Sequence, residues 1–272
     1  MKIKRKIMGA ALALSIAIGS IPITESALKA MEDGGGNLMI MPGVSALTSQ
    51  GTTDNYEYIA GSAVYYGRYP QSKYELTGGQ TEPNEGEEDV DWVKKTKDNV
   101  NYYYNIDPIE WRVLTKENEL FLMSDKNLDY VKFYEKEDFD TQNAYPWSSS
   151  TIRSWLNGYD DYTADNFKDS AFTEEEATVI ATTEIKRPSN PHFESIVIGE
   201  KTQDQIFLLS IQEAINEEYG FKENNPNSNT WYDRTKTHIA KNTQYIQDGW
   251  GRTGYPAGSA GRWWLRSPGD LK

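Results

Sequence analysis

Ile109-Glu110-Trp111-Arg112-Val113-Leu114 alternates apolar and polar residues up to Val113, and after Glu117-Asn118 the run Leu120-Phe121-Leu122-Met123-Ser124 is almost wholly apolar. Successive side chains of a strand point to opposite faces. The first run therefore reads as a strand with one buried face, and the second as a strand buried on both. Glu117-Asn118 makes the turn, so the pair predicts a β-hairpin at the heart of a sheet. Ile206-Phe207-Leu208-Leu209-Ser210 echoes the second run. It is read as an equivalent core strand of the same sheet, because the echo is too short to establish a repeat.

Around these strands the helix signals are short. Ser149 or Ser150 can cap a helix carrying Ile152, Trp155 and Leu156, and Gly158 can stop it. Thr173-Glu174-Glu175-Glu176 and Ser210-Ile211-Gln212-Glu213 are capping boxes, the second opening a helix expected to run to Tyr219 and stop at Gly220. Upstream, Ala63 to Tyr69 has strand composition and Pro70 is expected to end it. Residues 76–91 read as a solvated Gly/Glu/Asp loop. Downstream, Arg234 to Asn242 is expected to be helical and Gly249 to Gly261 a loop. Arg262-Trp263-Trp264-Leu265-Arg266 is expected to be a last strand, placed inside the sheet by its tryptophans. The fold class is α+β, an irregular mixed or antiparallel sheet with short helices and long loops.

The N-terminus has a different character. Lys2, Lys4, Arg5 and Lys6 precede an apolar run from Ile7 to Ile23, and small residues follow up to Ala30. Basic, then apolar, then small is the layout of a signal peptide. The run is shorter than the roughly 20 apolar residues of a membrane-crossing helix and is interrupted by Gly19 and Pro22. Residues 1–30 are therefore read as a cleavable leader, cut after Ala30 or Ala27. Residues 31–57 form a Gly/Ser/Thr-rich flexible connection, and 58–272 a single domain. That reading places the protein in the secreted or cell-surface compartment, with no membrane span in the mature chain.

Composition narrows the chemistry. The net charge is −13 over 272 residues, and the leader itself is basic, so the rest is more acidic still. Such a surface repels phosphate backbones, and nucleic acid is not an expected partner. Cysteine is absent, which removes disulfides and thiol nucleophiles. His192 and His238 are the only histidines and show no metal-ligand spacing. Asp89/Asp91, Asp138/Asp140 and Asp160/Asp161/Asp165 could chelate calcium, but none sits in an EF-hand frame. No cofactor and no metal are expected, and no catalytic residue is assigned.

Aromatics are the stronger signal, with 8 Trp and 18 Tyr. Such rings fill cores, stack on sugars and anchor protein interfaces. Trp111, Trp155 and Trp263 sit in regular patterns and read as core. Trp231, Trp250 and Tyr255 lie in or beside Asn/Gly-rich loops and read as exposed. Arg252 and Arg262 flank the same loop. Those five (Trp231, Trp250, Arg252, Tyr255 and Arg262) form the candidate ligand-binding set.

The ordered motifs Tyr66-Gly67-Arg68-Tyr69-Pro70-Gln71, Pro108-Ile109-Glu110-Trp111-Arg112-Val113-Leu114, Ser154-Trp155-Leu156-Asn157, Phe207-Leu208-Leu209-Ser210 and Trp263-Trp264-Leu265-Arg266-Ser267-Pro268-Gly269 resemble a domain of unknown function. That domain recurs in secreted and surface proteins of Gram-positive, often gut-dwelling bacteria. The resemblance covers roughly residues 58–272, and its most specific part is the last motif, with Trp111, Trp155, Trp263, Trp264 and Arg266 as structural signature. It implies a C-type-lectin-like fold of the formylglycine-generating-enzyme branch, and a natural domain that continues past residue 272. The chemistry of that branch relies on cysteines and does not carry over. The expected function is a secreted or cell-surface binding or adhesion module for a glycan or an extracellular protein. An extracellular glycan hydrolase using two carboxylates and a structural domain of a larger surface protein are the alternatives.

Overall fold

A computed structural model of the protein describes residues 11–14, 16–22, 63–83, 91–115, 119–135, 146–186, 199–221, 239–249 and 257–268. The first half is strands. They are β1 (Ala11–Leu14), β2 (Ala17–Pro22), β3 (Ala63–Lys73), β4 (Trp92–Lys97), β5 (Val100–Thr115), β6 (Glu119–Ser124), β7 (Lys126–Asn127) and β8 (Asp129–Lys132). Short helices follow: α1 (Thr151–Asn157), α2 (Phe167–Ala171) and α3 (Glu174–Val179). The remainder alternates β9 (Thr183–Ile185), β10 (Thr202–Asp204), β11 (Ile206–Phe207), α4 (Ile211–Ala214), β12 (Ala240–Asn242), α5 (Gln244–Gly249) and β13 (Ala260–Gly261). The class is α+β.

The main sheet has the order β11-β2-β6-β5-β3, every pair antiparallel. β5 is long enough to hold two partners along one edge. Val100–Asn105 pairs with β4, while Trp111–Thr115 pairs with β6. β3 runs along the other edge. The expected hairpin of β5 and β6 is therefore present. β4 and β5 form a second hairpin around Asp98 and Asn99, whose φ values of 52° and 61° are those of a two-residue turn with both central residues left-handed. Smaller ladders join β1 to β8, β9 to β10, and β12 to β13 and, in parallel, to β7.

The two echoing runs do lie in one sheet. Phe121 of β6 and Phe207 of β11 stack at 5.7 Å between ring centres, yet the strands are not neighbours. β2 lies between them, drawn from the segment with leader-like composition, and Ile16, Ala17 and Ile18 are completely buried there.

Packing explains several of the motifs. Trp111 is wholly buried and its indole N–H donates to the Tyr66 carbonyl at 2.7 Å. A buried ring of this size is worth about 4–6 kcal/mol by area, as an upper bound. Gly67 marks a register shift in β3 with φ +66°, and a β-carbon there would lie 2.5 Å from the Phe172 ring and 2.6 Å from the Ala171 carbonyl oxygen. Only glycine satisfies both the left-handed backbone and the close approach. Ser150 caps α1 by accepting from the Arg153 N–H, and Gly158 ends it at φ 74°. Both capping boxes, Thr173/Glu176 and Ser210/Glu213, are formed.

Five expectations change, the first being that the loop expected from Gly249 to Gly261 ends in strand β13 (Ala260–Gly261). β3 does not stop at Pro70 but runs on to Lys73; β3 is an edge strand, where a missing N–H costs no ladder bond. Ala240–Asn242, expected at the end of a helix, is strand β12. The helix expected from Ser210 to Tyr219 divides into α4 and a separate 3-10 turn, Glu217–Tyr219, before Gly220. Arg262–Arg266 is not an internal strand: β13 ends at Gly261, and after it the chain makes a single bridge at Trp263 and bends at Arg266 and Ser267. Trp263, Trp264 and Leu265 are accordingly half-buried. Their apolar character is met by partial burial against the core cluster.

Candidate functional site

Gly158 turns the chain sharply at the end of α1, and the next residue, Tyr159, comes to lie at the rim of an open depression. The depression has a volume of about 930 Å³ and is lined by Ser148, Arg153, Gly158, Tyr159, Asp160, Glu200, Lys201, Thr202 and Gln203. It lies where α1 meets β10. Arg153 sits one turn into α1, so the helix aims its side chain at β10.

The floor is a fully engaged carboxylate. Asp204 is buried, accepting from Arg153 Nε at 2.8 Å on one oxygen. Its other oxygen accepts from the Trp147 indole N–H at 2.9 Å and the Thr202 hydroxyl at 2.5 Å. Arg153 Nη1 donates to the Ser148 carbonyl at 3.2 Å. The guanidinium lies 4.9 Å from the centre of the Tyr159 ring, and the Tyr159 hydroxyl donates to the Gln203 carbonyl at 3.2 Å. Burial, and then the Asp204 charge, raise the Tyr159 phenol above its ordinary value, against a lowering by Arg153. Tyr159 is therefore neutral and held at fixed orientation by an arginine that is itself fixed. Asn157 anchors the same helix end to the sheet: its amide donates to the Ile206 carbonyl at 2.8 Å and its oxygen accepts from the Gln205 and Ile206 N–H groups. The Ser154-Trp155-Leu156-Asn157 motif is the joint that sets the depression in place.

A second titratable cluster is spent on itself. The Tyr69 hydroxyl donates to Asp129 at 2.5 Å and the Tyr130 N–H donates to the same carboxyl at 2.6 Å. Burial raises the Asp129 carboxyl, while those two hydrogen bonds and Lys95 lower it. Tyr245 packs edge-on to both Tyr69 and Tyr104, and burial holds the Tyr69 and Tyr245 phenols well above their ordinary value.

Of the expected ligand-binding residues, Trp231, Trp250, Arg252 and Tyr255 lie outside the described residues. Arg262 is exposed, just after β13, and does not line the depression. The signature residues are joints. Trp155 packs half-buried on Phe167 at 5.7 Å. The Trp264 indole N–H donates to the Val131 carbonyl at 3.1 Å, and its ring meets Phe133. Arg266 is buried and grips Glu213 with two nitrogens at 2.5 and 2.6 Å while donating to the Leu208 carbonyl. Ser267 accepts from the Ile211 N–H, so the Arg-Ser-Pro end of the motif fastens α4. Arg153, Tyr159, Thr202 and Asp204 were not singled out in the sequence. The only hint was an aromatic directly after a helix-stopping glycine.

Among the described residues no group of three or more His, Asp or Glu is placed to hold a metal ion, and no helix is long and apolar enough to cross a membrane. His192 and His238 lie outside the described residues. A family model described as "Domain of unknown function (DUF6273)" matches residues 110–272, which takes in the hairpin of β5 and β6, the depression and the Trp-Trp-Leu-Arg-Ser-Pro-Gly motif. Searches of curated proteins and of solved structures gave no match.

Proposed function

The chain belongs to the DUF6273 family, domains of unknown function, and from its own residues we propose that it is a secreted or cell-surface binding module. Its ligand is a glycan-type molecule, held in the depression beside Tyr159. The supporting observation is the clamp on that ring: Arg153, fixed by the buried Asp204, lies at 4.9 Å from the ring centre. A pre-oriented aromatic beside backbone amides and hydroxyls suits a hydroxylated ring, which offers an apolar face and a polar edge. Ser148, Asp160, Glu200 and Gln203 supply polar groups around it. Export is supported by the basic-then-apolar order of residues 2–23.

Two of the three carboxylates at the depression are held in ways that favour binding over hydrolysis. Asp204 has both oxygens engaged, and Asp160 accepts from the Ser154 hydroxyl at 2.6 Å. A glycan array probed with the full chain and with Tyr159→Ala tests the proposal. Binding by the wild type that the variant loses is the expected result. A folded wild-type sample that binds no glycan overturns it.

A further inference from the structure

The position of β2 is at odds with its composition. It is a central strand, between β6 and β11, yet it comes from the stretch that reads as an export leader. Its register is fixed on both sides. Ala17 pairs with Met123 and Phe207, Ile18 with Leu122 and Ile206, and Ile21 with Leu120. Ser124 closes the upstream end: its N–H donates to the Ile16 carbonyl at 2.8 Å, and its hydroxyl accepts from the Ile16 N–H at 2.9 Å. Ile16 to Pro22 carries no charge. Forty residues, 23–62, separate β2 from β3 in sequence, so its place in the sheet does not depend on a tight turn.

Without β2 the fold has a slot. β6 would present the unpaired backbone groups of Ser124 and its alternate neighbours, β11 those of Phe207 alone, since both backbone groups of Ile206 are bonded to Asn157, and the sites of Ile16 and Ile18 would be voids. A bare edge invites a strand, and a slot with two facing edges invites one more strongly, since every inward N–H and C=O then finds a partner. If the leader is removed on export, the rest of the chain folds without its own strand for that slot.

We propose that the slot between β6 and β11 is a strand-acceptor site. Residues 16–22 fill it in the intact chain. Once they are removed, an extended, uncharged strand of another polypeptide, with small and branched apolar residues, takes their place by antiparallel pairing on both sides. This site is separate from the depression, and only the step of removal rests on the export reading.

The test uses the full chain with a specific protease site inserted within residues 31–57, folded first and then cut. A dye-labelled synthetic peptide spanning residues 11–24 is added, and anisotropy follows its uptake. The severed N-terminal piece is expected to stay bound and to exchange with the labelled peptide. A peptide carrying Ile18→Asp should bind weaker by about tenfold or more, the least expected for placing a charge in a dry slot. The Ser124 amide, which donates to Ile16, and the Phe207 amide should lose hydrogen-exchange protection when the piece is competed away and regain it with wild-type peptide, while the Ile206 amide, held by Asn157, should not change. The proposal is overturned if the labelled peptide does not bind while the Ser124 and Phe207 amides stay protected, or if wild-type and Ile18→Asp peptides bind alike. It is also overturned if the cut chain fills its slot from a second copy and elutes as a dimer in excess peptide. A full-length Ile18→Asp chain that keeps full protection at the same amides would equally rule it out. None of these readouts depends on where a natural peptidase cuts, and the mass of the protein recovered from culture medium decides that point independently.

Discussion

Two arginine–carboxylate pairs hold the two sides of the β10–β11 region, and they are used in opposite ways. Arg266 grips Glu213 with two nitrogens and lies 5.4 Å from the Phe207 ring. Arg153 grips Asp204 and lies 4.9 Å from the Tyr159 ring. Each pair also has a tyrosine whose phenol its carboxylate raises and its arginine lowers, Tyr219 in the first and Tyr159 in the second. In the first pair the arginine is the buried member, and its ring, Phe207, belongs to the core. In the second the carboxylate is the buried member, and its ring faces a concavity. The same chemistry locks a helix in one place and presents an aromatic to solvent in the other.

The largest expected effect is at the locked pair. Arg266→Ala removes both bonds to Glu213 and the one to the Leu208 carbonyl, leaving Glu213 its capping bond from the Ser210 N–H in a partly open site, which should cost about 3 kcal/mol, the low end for a broken buried pair. Chemical denaturation measures it. Arg266→Lys should recover little, because an ammonium cannot reproduce two parallel bonds to one carboxylate. A loss below about 1 kcal/mol, the range of a surface pair, would erase the contrast between the two sites.

The uneven legibility of the sequence follows from the same contrast. Local signals were readable because their causes are local. Ser150, Thr173 and Ser210 cap the helices that their neighbours predict, and the alternation of Ile109–Val113 shows which face of β5 is buried. The β4–β5 hairpin was not read, because Trp92–Lys97 runs apolar-apolar and then polar with no alternation, although its two-residue turn, Asp98-Asn99, is a pair that tolerates left-handed backbone. What could not be read is long-range. Nothing near Arg153 announces Asp204, 51 positions away. The Trp263-Trp264 run misled because half-buried aromatics that follow the last strand have the composition of a core strand. The insertion of β2 between two strands that echo one another has no local signature at all.

At the open pair the expected loss is smaller. Asp204→Asn keeps an acceptor for the Trp147 indole and the Thr202 hydroxyl but leaves Arg153 without its counter-charge. Arg153 is still 18 % exposed and partly solvated, so the cost should be about 1–3 kcal/mol. The depression should loosen with it. Glycan affinity should then fall further than stability alone explains, and titration calorimetry beside a denaturation curve separates the two. Equal losses for Asp204→Asn and Arg266→Ala would mean that both pairs are merely structural.

Alkaline pH sharpens the comparison further. Burial, and then Asp204 or Glu213, hold the Tyr159 and Tyr219 phenols above the usual 10.0. The folded protein therefore keeps protons that the unfolded chain gives up. Their contribution to stability is complete below pH 10.0 and declines as pH rises through the folded values. Arg153→Gln removes the charge that lowers the Tyr159 phenol, so its phenolate absorbance should emerge at higher pH than in the wild type. The same substitution should leave Tyr219 unmoved. A downward shift in Arg153→Gln would show that the arginine is not beside the ring in solution.

The smallest expected change in stability belongs to the residue with the largest expected change in function. Tyr159 is half-exposed, and its hydroxyl donates to the Gln203 carbonyl across an open rim. Tyr159→Phe removes one solvated hydrogen bond, worth about 0.5–1.5 kcal/mol, and keeps the aromatic face, so glycan binding should persist. Tyr159→Ala removes the face as well. Its stability should fall by about 1–2 kcal/mol, less than a core aromatic would cost, while binding disappears. Phe207→Ala is the matching change at the locked pair, and there the order reverses, because that ring is buried against Phe121 and stability carries the whole loss. If Tyr159→Ala binds as the wild type does, the ring beside Arg153 is packing of the same kind as the ring beside Arg266, and the ligand must be sought elsewhere on the domain.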